Sequence, residues 1–434
     1  ISTGMKIIAP KGGGIYLGAY NQGGNGLSEF EKAVGKKVAI APAGIFNCND
    51  GGTEGKAPKF DTQCHEAMWQ KGYVTTYGVE TGNFVALSTW TSPQDVLDGK
   101  WDADLKQVAR DIANWGRPIF WQYHREPFAQ FGGYGSRGRE QRGMCAGAQN
   151  AEVATQQQRN HQCNFNNFGD SSKLDGPERY IAVMRHIHDV VENEIKAMGK
   201  QSPITWVMGG IIEYATSGFY TDYYPGNSYV DWHAFDWYPG FDAPIATQYK
   251  SLSSFPGWKE AMQLAPDKPV LVMEFGVHRI SGPENPSANR NYWFQQFFND
   301  IKTNPAIKNL AAFFYWQETA APFHTRLSST DPEARTWQQE IQANPNYWHS
   351  QIQTAGTTPN PSGTITAVPN PCDIPYGQNV CSLTISWTSS DVQEQKVQVW
   401  ASKQNAPDIL FECADSNKAG SKDVVWIAAD VYTF

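Results

Sequence analysis

Eight short apolar runs recur along most of the chain, separated by helix-patterned or loop-like sequence, and this alternation limits the fold more than any other feature. The runs are Lys11–Tyr20, Val38–Phe46, Phe84–Trp90, the stretch from Arg117 to Glu126, Pro203–Gly210, Val230–Pro239, Lys268–Gly276 and Ile307–Glu318. Apolar runs of this length, bounded by Gly, Pro and Asn, read as buried strands. Between them, Asp102–Trp115 carries Leu105, Val108, Ile112 and Trp115 at helical period. Glu178–Met198 places Ile181, Met184, Ile187, Val191 and Ile195 on one stripe, with Gly199 as its stop. Leu27–Val34, His65–Lys71 and Asn291–Ile301 read as shorter helices, while Tyr73–Val79 stays open between helix continuation and strand. Strands alternating with helices imply a parallel sheet, and eight such units imply closure into a (β/α)8 barrel.

Several of these runs end in polar or aromatic side chains. The fourth turns abruptly polar at Gln122, His124, Arg125 and Glu126, then enters the glycine-punctuated aromatic loop Phe131-Gly-Gly-Tyr-Gly135. The seventh has Val270-Leu-Val-Met directly before Glu274 and then Phe-Gly. In a barrel of this kind, ionisable groups at the C-terminal ends of strands are where chemistry is carried out. Two such carboxylates, Glu126 and Glu274, suit glycoside hydrolysis: one protonated to donate to the leaving oxygen, the other attacking the anomeric carbon, about 5–5.5 Å apart in a retaining enzyme. The backbone of Glu274 is held by the barrel core, which favours the nucleophile's part. Tyr238, ending the sixth run, is expected to donate its hydroxyl to that carboxylate and hold it as the anion. Trp316 has both a sugar-stacking and a core reading; Tyr20, Trp90 and Trp237 are weaker candidates of the same kind. His233 reads equally as a sugar ligand or a buried hydrogen-bonded ring, and Tyr220, Asp222, Tyr223 and Tyr224 as a groove lining or a solvated turn. Glu80, Glu213, Asp236 and Glu318 are rival acids without the flanking pattern of Glu274.

Bulk properties remove other classes. A net charge of −8 with no basic cluster argues against nucleic-acid and anionic-membrane partners. No apolar run reaches bilayer length. HExxH, a phosphate-binding glycine loop before a helix and GxSxG are all missing from the sequence, so metal, nucleotide and serine-hydrolase chemistries are poor readings and no cofactor is expected. The seven cysteines lie as near neighbours in loop-like sequence, giving Cys48–Cys64, Cys145–Cys163 and Cys372–Cys381 as expected pairs with Cys413 left over. Disulfides imply an oxidising compartment and hence secretion, with any signal segment removed or omitted before Ile1. A monomer is expected.

The composition changes near Gln351. The expected division is a barrel over 1–350, a linker over 351–363, and an all-β module over 364–434. In that module Leu383-Thr-Ile-Ser-Trp387, Lys396-Val-Gln-Val-Trp400 and Val424-Val-Trp-Ile427 alternate at period two, as in a small antiparallel sandwich. No clear exposed aromatic platform is expected in it, so a spacer or stabilising role is favoured over sugar binding.

The order and endings of the strands resemble clan A glycoside hydrolases. More closely, Gly99-Lys-Trp-Asp102, Trp115-Gly-Arg-Pro118, His124-Arg-Glu126, Phe131-Gly-Gly-Tyr-Gly135, Tyr229-Val-Asp-Trp232, Asp236-Trp-Tyr-Pro239 and Lys268–Gly276 resemble glycoside hydrolase family 26 in that order. The resemblance implies a β-mannanase, β-1,3-xylanase or β-glucanase type of enzyme, retaining and endo-acting, with Glu126 as acid/base, Glu274 as nucleophile and an aromatic floor at Trp316. This chain departs from the family around the acid/base: Arg125 stands where histidine is usual, His124 lies one place earlier, Gln122 replaces an arginine, and Pro127-Phe-Ala129 replaces Met-Asn-Gly. The sugar-binding positions Gln122, His124 and Arg125 are thus rebuilt. Rival readings are a clan A barrel acting on a microbial exopolysaccharide or algal glycan, a catalytically silent glycan-binding barrel, and an adhesin carried by the C-terminal module, which resembles immunoglobulin-like modules of secreted glycosidases.

Overall fold

The computed structural model describes residues 6–20, 26–41, 48, 50–51, 57–79, 93–123, 176–211, 219–238, 249–277, 286–317, 325–355, 362–390, 396–403, 409–415, 419–428 and 432–433. The chain divides into two compact units, Ile1–Ala355 and Gly356–Phe434.

In the first unit the strands are β1 (Ile7–Ile8), β2 (Ile15–Ala19), β3 (Thr76–Val79), β4 (Ile119–Tyr123), β5 (Ile204–Ile211), β6 (Trp232–Trp237), β7 (Val270–Phe275), β8 (Leu310–Tyr315), β9 (Trp348–His349) and β10 (Gln353–Thr354). From β3 to β8 each strand pairs in parallel with the next, and β8 pairs with β2. The ring closes through the segment around Ile40, which bridges Gly18 on one side and Val74 on the other. The Ala39 amide donates to the Leu17 carbonyl at 2.7 Å, and the Ala41 amide to the Val74 carbonyl at 2.8 Å. The fold is therefore a (β/α)8 barrel, as the alternation of apolar runs predicts.

Two sequence expectations are corrected. The third place in the ring is taken by β3, from the stretch left open between helix and strand; Phe84–Trp90, expected there, lies outside the described residues. Thr75, Thr76 and Val79 supply the β-branched character that a buried parallel strand favours. The linker also starts later than expected, because β10 pairs antiparallel with β1, so residues 353–354 belong to the barrel unit.

Side chains alternate between two apolar layers. Tyr16, Ile40, Val74, Phe120, Val207, Trp232, Leu271, Ala312 and Phe314 fill the barrel interior. Leu17, Tyr77, Trp121, Trp206, Phe235, Val272 and Phe313 face outward against the helices. The helices bury their expected stripes: Leu105, Val108 and Ile112 from Asp102–Trp115, and Met184, Ile187, Val191 and Ile195 from Gly176–Ala197. Gly116, at φ 68°, ends the first of these in the left-handed conformation that suits glycine. At the end of the barrel where the strands begin, Ile7 forms a plug: its amide donates to Thr205 Oγ1 at 2.7 Å and its carbonyl accepts from Trp232 Nε1 at 3.0 Å. Lys6 adds an ion pair to Asp231 at 2.8 Å. With that end sealed, the open mouth lies at the C-terminal ends of the strands.

The second unit holds two three-stranded antiparallel sheets, one of Ser362–Val368, Cys381–Ser390 and Ala419–Ile427, the other of Lys396–Lys403, Ile409–Asp415 and Tyr432–Thr433. Leu383, Ile385, Trp387, Val399 and Val424 form its own small core. Tyr376 and Trp426 are exposed large aromatics on this unit, where the sequence suggested no exposed platform. The disulfides Cys48–Cys64 and Cys372–Cys381 are formed, and Cys145–Cys163 lies outside the described residues. No helix among the described residues is long and apolar enough to cross a membrane.

Candidate active site

The mouth of the barrel is built from strand ends, and the decisive local event is in β7. Phe235 pairs with Val272, but the next residue, Asp236, pairs with Glu274; against β8, Val272 faces Phe313 and Phe275 faces Tyr315. One extra residue is therefore inserted in β7 relative to both neighbours, a β-bulge. Leu271 and Met273 lie in the interior, and Val272 and Phe275 lie outside. Strict alternation would send Glu274 outward after Met273. The bulge turns it inward instead, beside Asp236 of β6.

There Glu274 meets Tyr238, whose hydroxyl donates to Glu274 Oε2 at 2.7 Å. Both residues are 5% exposed, so this is a nearly dry hydrogen bond that favours the charged carboxylate. Trp316 follows β8 and is also 5% exposed. Its amide donates to the Phe275 carbonyl at 2.8 Å, tying it to the residue after Glu274. Its ring lies 4.6 Å from Tyr20, tilted at 53°, and edge-on to Tyr238 at 6.4 Å. Tyr20, Tyr238 and Trp316 form one aromatic wall of the interior cluster. Gly276 makes room for it: a Cβ there would meet Thr325 Cγ2 at 2.5 Å and Tyr238 Cε1 at 3.1 Å.

The other sequence candidates divide. Gln122 is buried, and it falls on the inward side of β4 by alternation with interior Phe120. Trp237 belongs elsewhere: it is fully buried in the outer layer, 5.2 Å from Trp293 and 5.6 Å from Phe275. Its neighbour Tyr238 faces the interior, and adjacent strand residues face opposite ways. Glu126, His124, Arg125 and Trp90 lie outside the described residues, as do the rival acids Glu80, Glu213 and Glu318.

His233 takes its buried reading. Its Nδ1 lies 2.8 Å from the Tyr220 hydroxyl and its Nε2 3.3 Å from the Ala265 carbonyl. Burial pushes its pKa down to about 4, so the ring is neutral near pH 7. Tyr220 and Tyr223 are core residues too, not a groove lining. Cys48, Asp50 and His65 also converge. The Cys48 sulfur is committed to Cys64, while His65 is held between Asp50 at 2.9 Å and Thr75 Oγ1 at 2.6 Å. That arrangement ties a loop to the barrel and offers no thiolate to a metal.

Sequence reasoning missed Thr325 and Arg290, which support this wall from behind. The available signal was weak: Thr325 follows β8 by only a short interval, and Arg290 lies between Asn289 and Asn291 in a helix of mixed polar and aromatic residues.

No family model matches the chain. A curated relative, Endoglucanase H of Acetivibrio thermocellus, is 27% identical over 180 residues, which is 38% of this chain. The chain spans 17% of that relative's length. Among solved structures, a modular endo-β-1,4-mannanase of glycoside hydrolase family 26 from Cellulomonas fimi aligns at TM-score 0.46 and 14% identity, covering 96% of this chain and 94% of that one. The family 26 domain of an endo-β-mannanase/endo-β-glucanase from Prevotella bryantii aligns at TM-score 0.44 and 14% identity, covering 76% and 89%. The barrel assignment itself rests on the strand order and closure of this chain.

Proposed function

We propose that the protein is a retaining endo-β-glycanase that cleaves a β-linked polysaccharide of the mannan, 1,3-xylan or glucan type. Glu274 is the nucleophile and Glu126 the acid/base; Tyr238 orients Glu274, and Trp316 with Tyr20 is the floor under the reacting sugar. Gln122, His124 and Arg125 contact the same sugar. The observation that carries this reading is the bulge in β7, which aims Glu274 at the Tyr238 hydroxyl beside an aromatic wall. A carboxylate held ionised by a short hydrogen bond in a nearly dry site is suited to attack an anomeric carbon. The resemblance of the strand-end motifs and the named relative supply the substrate class. This chemistry needs no metal or redox group. The two disulfides support secretion, and the chain is proposed to act as a monomer.

In the first step Glu274 attacks the anomeric carbon as Glu126 protonates the leaving oxygen, giving a glycosyl ester on Glu274. In the second, Glu126 takes a proton from a water that attacks the same carbon, and the bond to Glu274 breaks, releasing the sugar with retained configuration. The test is release of reducing ends from a panel of β-mannan, β-1,3-xylan and β-glucan, with product configuration followed by NMR. Glu274→Ala should abolish hydrolysis, and added azide should restore turnover by giving a glycosyl azide of inverted configuration. Glu126→Ala with azide should give the retained azide. Binding without hydrolysis would favour the silent glycan-binding barrel, and full activity in Glu274→Ala would end the proposal.

A further inference from the structure

Behind the aromatic wall lies a buried cation with no part in the chemistry proposed above. Arg290, in the helix Pro286–Thr303, is completely buried, and its guanidinium faces Glu333 of the helix Pro332–Ala343 at 3.9 Å. Its Nη2 donates to the Tyr315 hydroxyl at 2.9 Å and to the Thr325 carbonyl at 3.1 Å; its Nη1 reaches the Arg326 carbonyl at 3.4 Å. The Tyr315 hydroxyl in turn donates to that same Thr325 carbonyl at 2.6 Å. Thr325 then closes the circuit forward: its hydroxyl donates to the Trp316 carbonyl, and its methyl lies where Gly276 leaves space. Gln317 pairs its side-chain amide with both backbone groups of Leu327, at 2.7 and 2.9 Å.

The chain therefore leaves β8 at Trp316 and Gln317 and returns at Thr325–Leu327, and the two stems are cross-linked by side chains. A guanidinium fork that binds two successive carbonyls fixes position as well as charge, which a single ammonium cannot do. We infer that Arg290 and Thr325 are positioning residues: a latch that sets the height of Trp316 against Glu274 and so governs sugar binding in the subsite over the indole. This deepens the glycanase reading and rests on it for the sugar. The latch itself rests only on the hydrogen bonds above.

Thr325→Val removes the hydroxyl and keeps the volume; Thr325→Ser keeps the hydroxyl. Because the indole would hold the sugar equally in the ground and transition states, its displacement raises KM and leaves kcat unchanged. Loss of one buried hydrogen bond predicts a KM increase of roughly five-fold in Thr325→Val. Thr325→Ser should restore the wild-type KM, and Arg290→Lys should follow Thr325→Val. Should Arg290→Lys fail to fold, the two Thr325 variants carry the test alone. Hydrogen exchange of the backbone at 310–317 should quicken in Thr325→Val and not in Thr325→Ser. A Thr325→Val enzyme with wild-type KM, or with wild-type exchange at 310–317, overturns the inference, whatever its melting temperature. If the wild-type protein hydrolyses none of the polysaccharides, the glycanase reading falls and the exchange comparison alone decides the latch.

Discussion

A phenol donating at 2.7 Å to a nearly buried carboxylate lowers the energy of the anion relative to the acid. Tyr238→Phe deletes that bond without changing the shape of the wall. A hydrogen bond to a charged group is worth about 1.5–3 kcal/mol, so kcat/KM should fall by roughly 10- to 100-fold. Because the bond orients the attacking carboxylate, the loss should appear in the step in which Glu274 attacks, measured as kcat/KM on a soluble oligosaccharide. A Tyr238→Phe enzyme with wild-type kcat/KM would show that this hydroxyl does not serve Glu274. His233 gives a second residue-scale expectation, on stability. Its native pKa lies near 4 and its ordinary value near 6.5. Between these values the unfolded chain binds a proton that the native ring refuses, so stability rises with pH across that window and is complete above it. The change is at most roughly 3 kcal/mol. Urea unfolding of wild type and His233→Gln at several pH values should show the wild type losing more stability on acidification; parallel curves would contradict this.

At the scale of the element, β7 is where sequence pattern and tertiary structure part. Val270-Leu-Val-Met reads plainly as a buried strand, yet period two alone places Glu274 and Met273 on opposite faces. The inserted residue is visible only in the pairing with β6 and β8, because a bulge is a mismatch between strands and no property of one strand. Trp237 is the reverse case: with Tyr238 in the mouth, alternation already excludes its neighbour. The sequence favours Phe84–Trp90 as third strand for its aromatic pattern, whereas backbone bonds between Val74 and Ala39 give the place to Thr76–Val79. The helices Pro256–Leu264 and Pro332–Ala343, absent from the sequence pattern of apolar stripes, both open with proline in the first turn, a legible start signal. Gly276→Ala tests the end of β7. A methyl there must displace the Thr325 methyl or the Tyr238 ring. Overpacking of this kind costs about 1–3 kcal/mol. Activity should fall further than that loss of stability explains, measured as kcat/KM at a temperature where the variant is fully folded.

At the scale of the whole molecule, each of the two units has its own apolar core. A chain ending at Ala355 keeps β10 and its pairing with β1, so the barrel should fold alone. Its kcat/KM on a soluble oligosaccharide should stay within about two-fold of the full chain, since a compact unit with its own core can in principle fold alone. A barrel that aggregates or melts far lower when cut there would refute this independence. The sequence by itself determined the alternation of strands and helices, the stripe each long helix buries, and the near-neighbour cysteine pairs that close. These are legible because period and spacing are carried by residues close together in the chain. Only the tertiary structure decided which way Glu274 faces, that Tyr20, Tyr238 and Trp316 gather into one wall, and that Arg290 reaches the stem carrying Trp316. Those outcomes depend on register summed across several strands and on side chains distant in sequence, so no single segment encodes them.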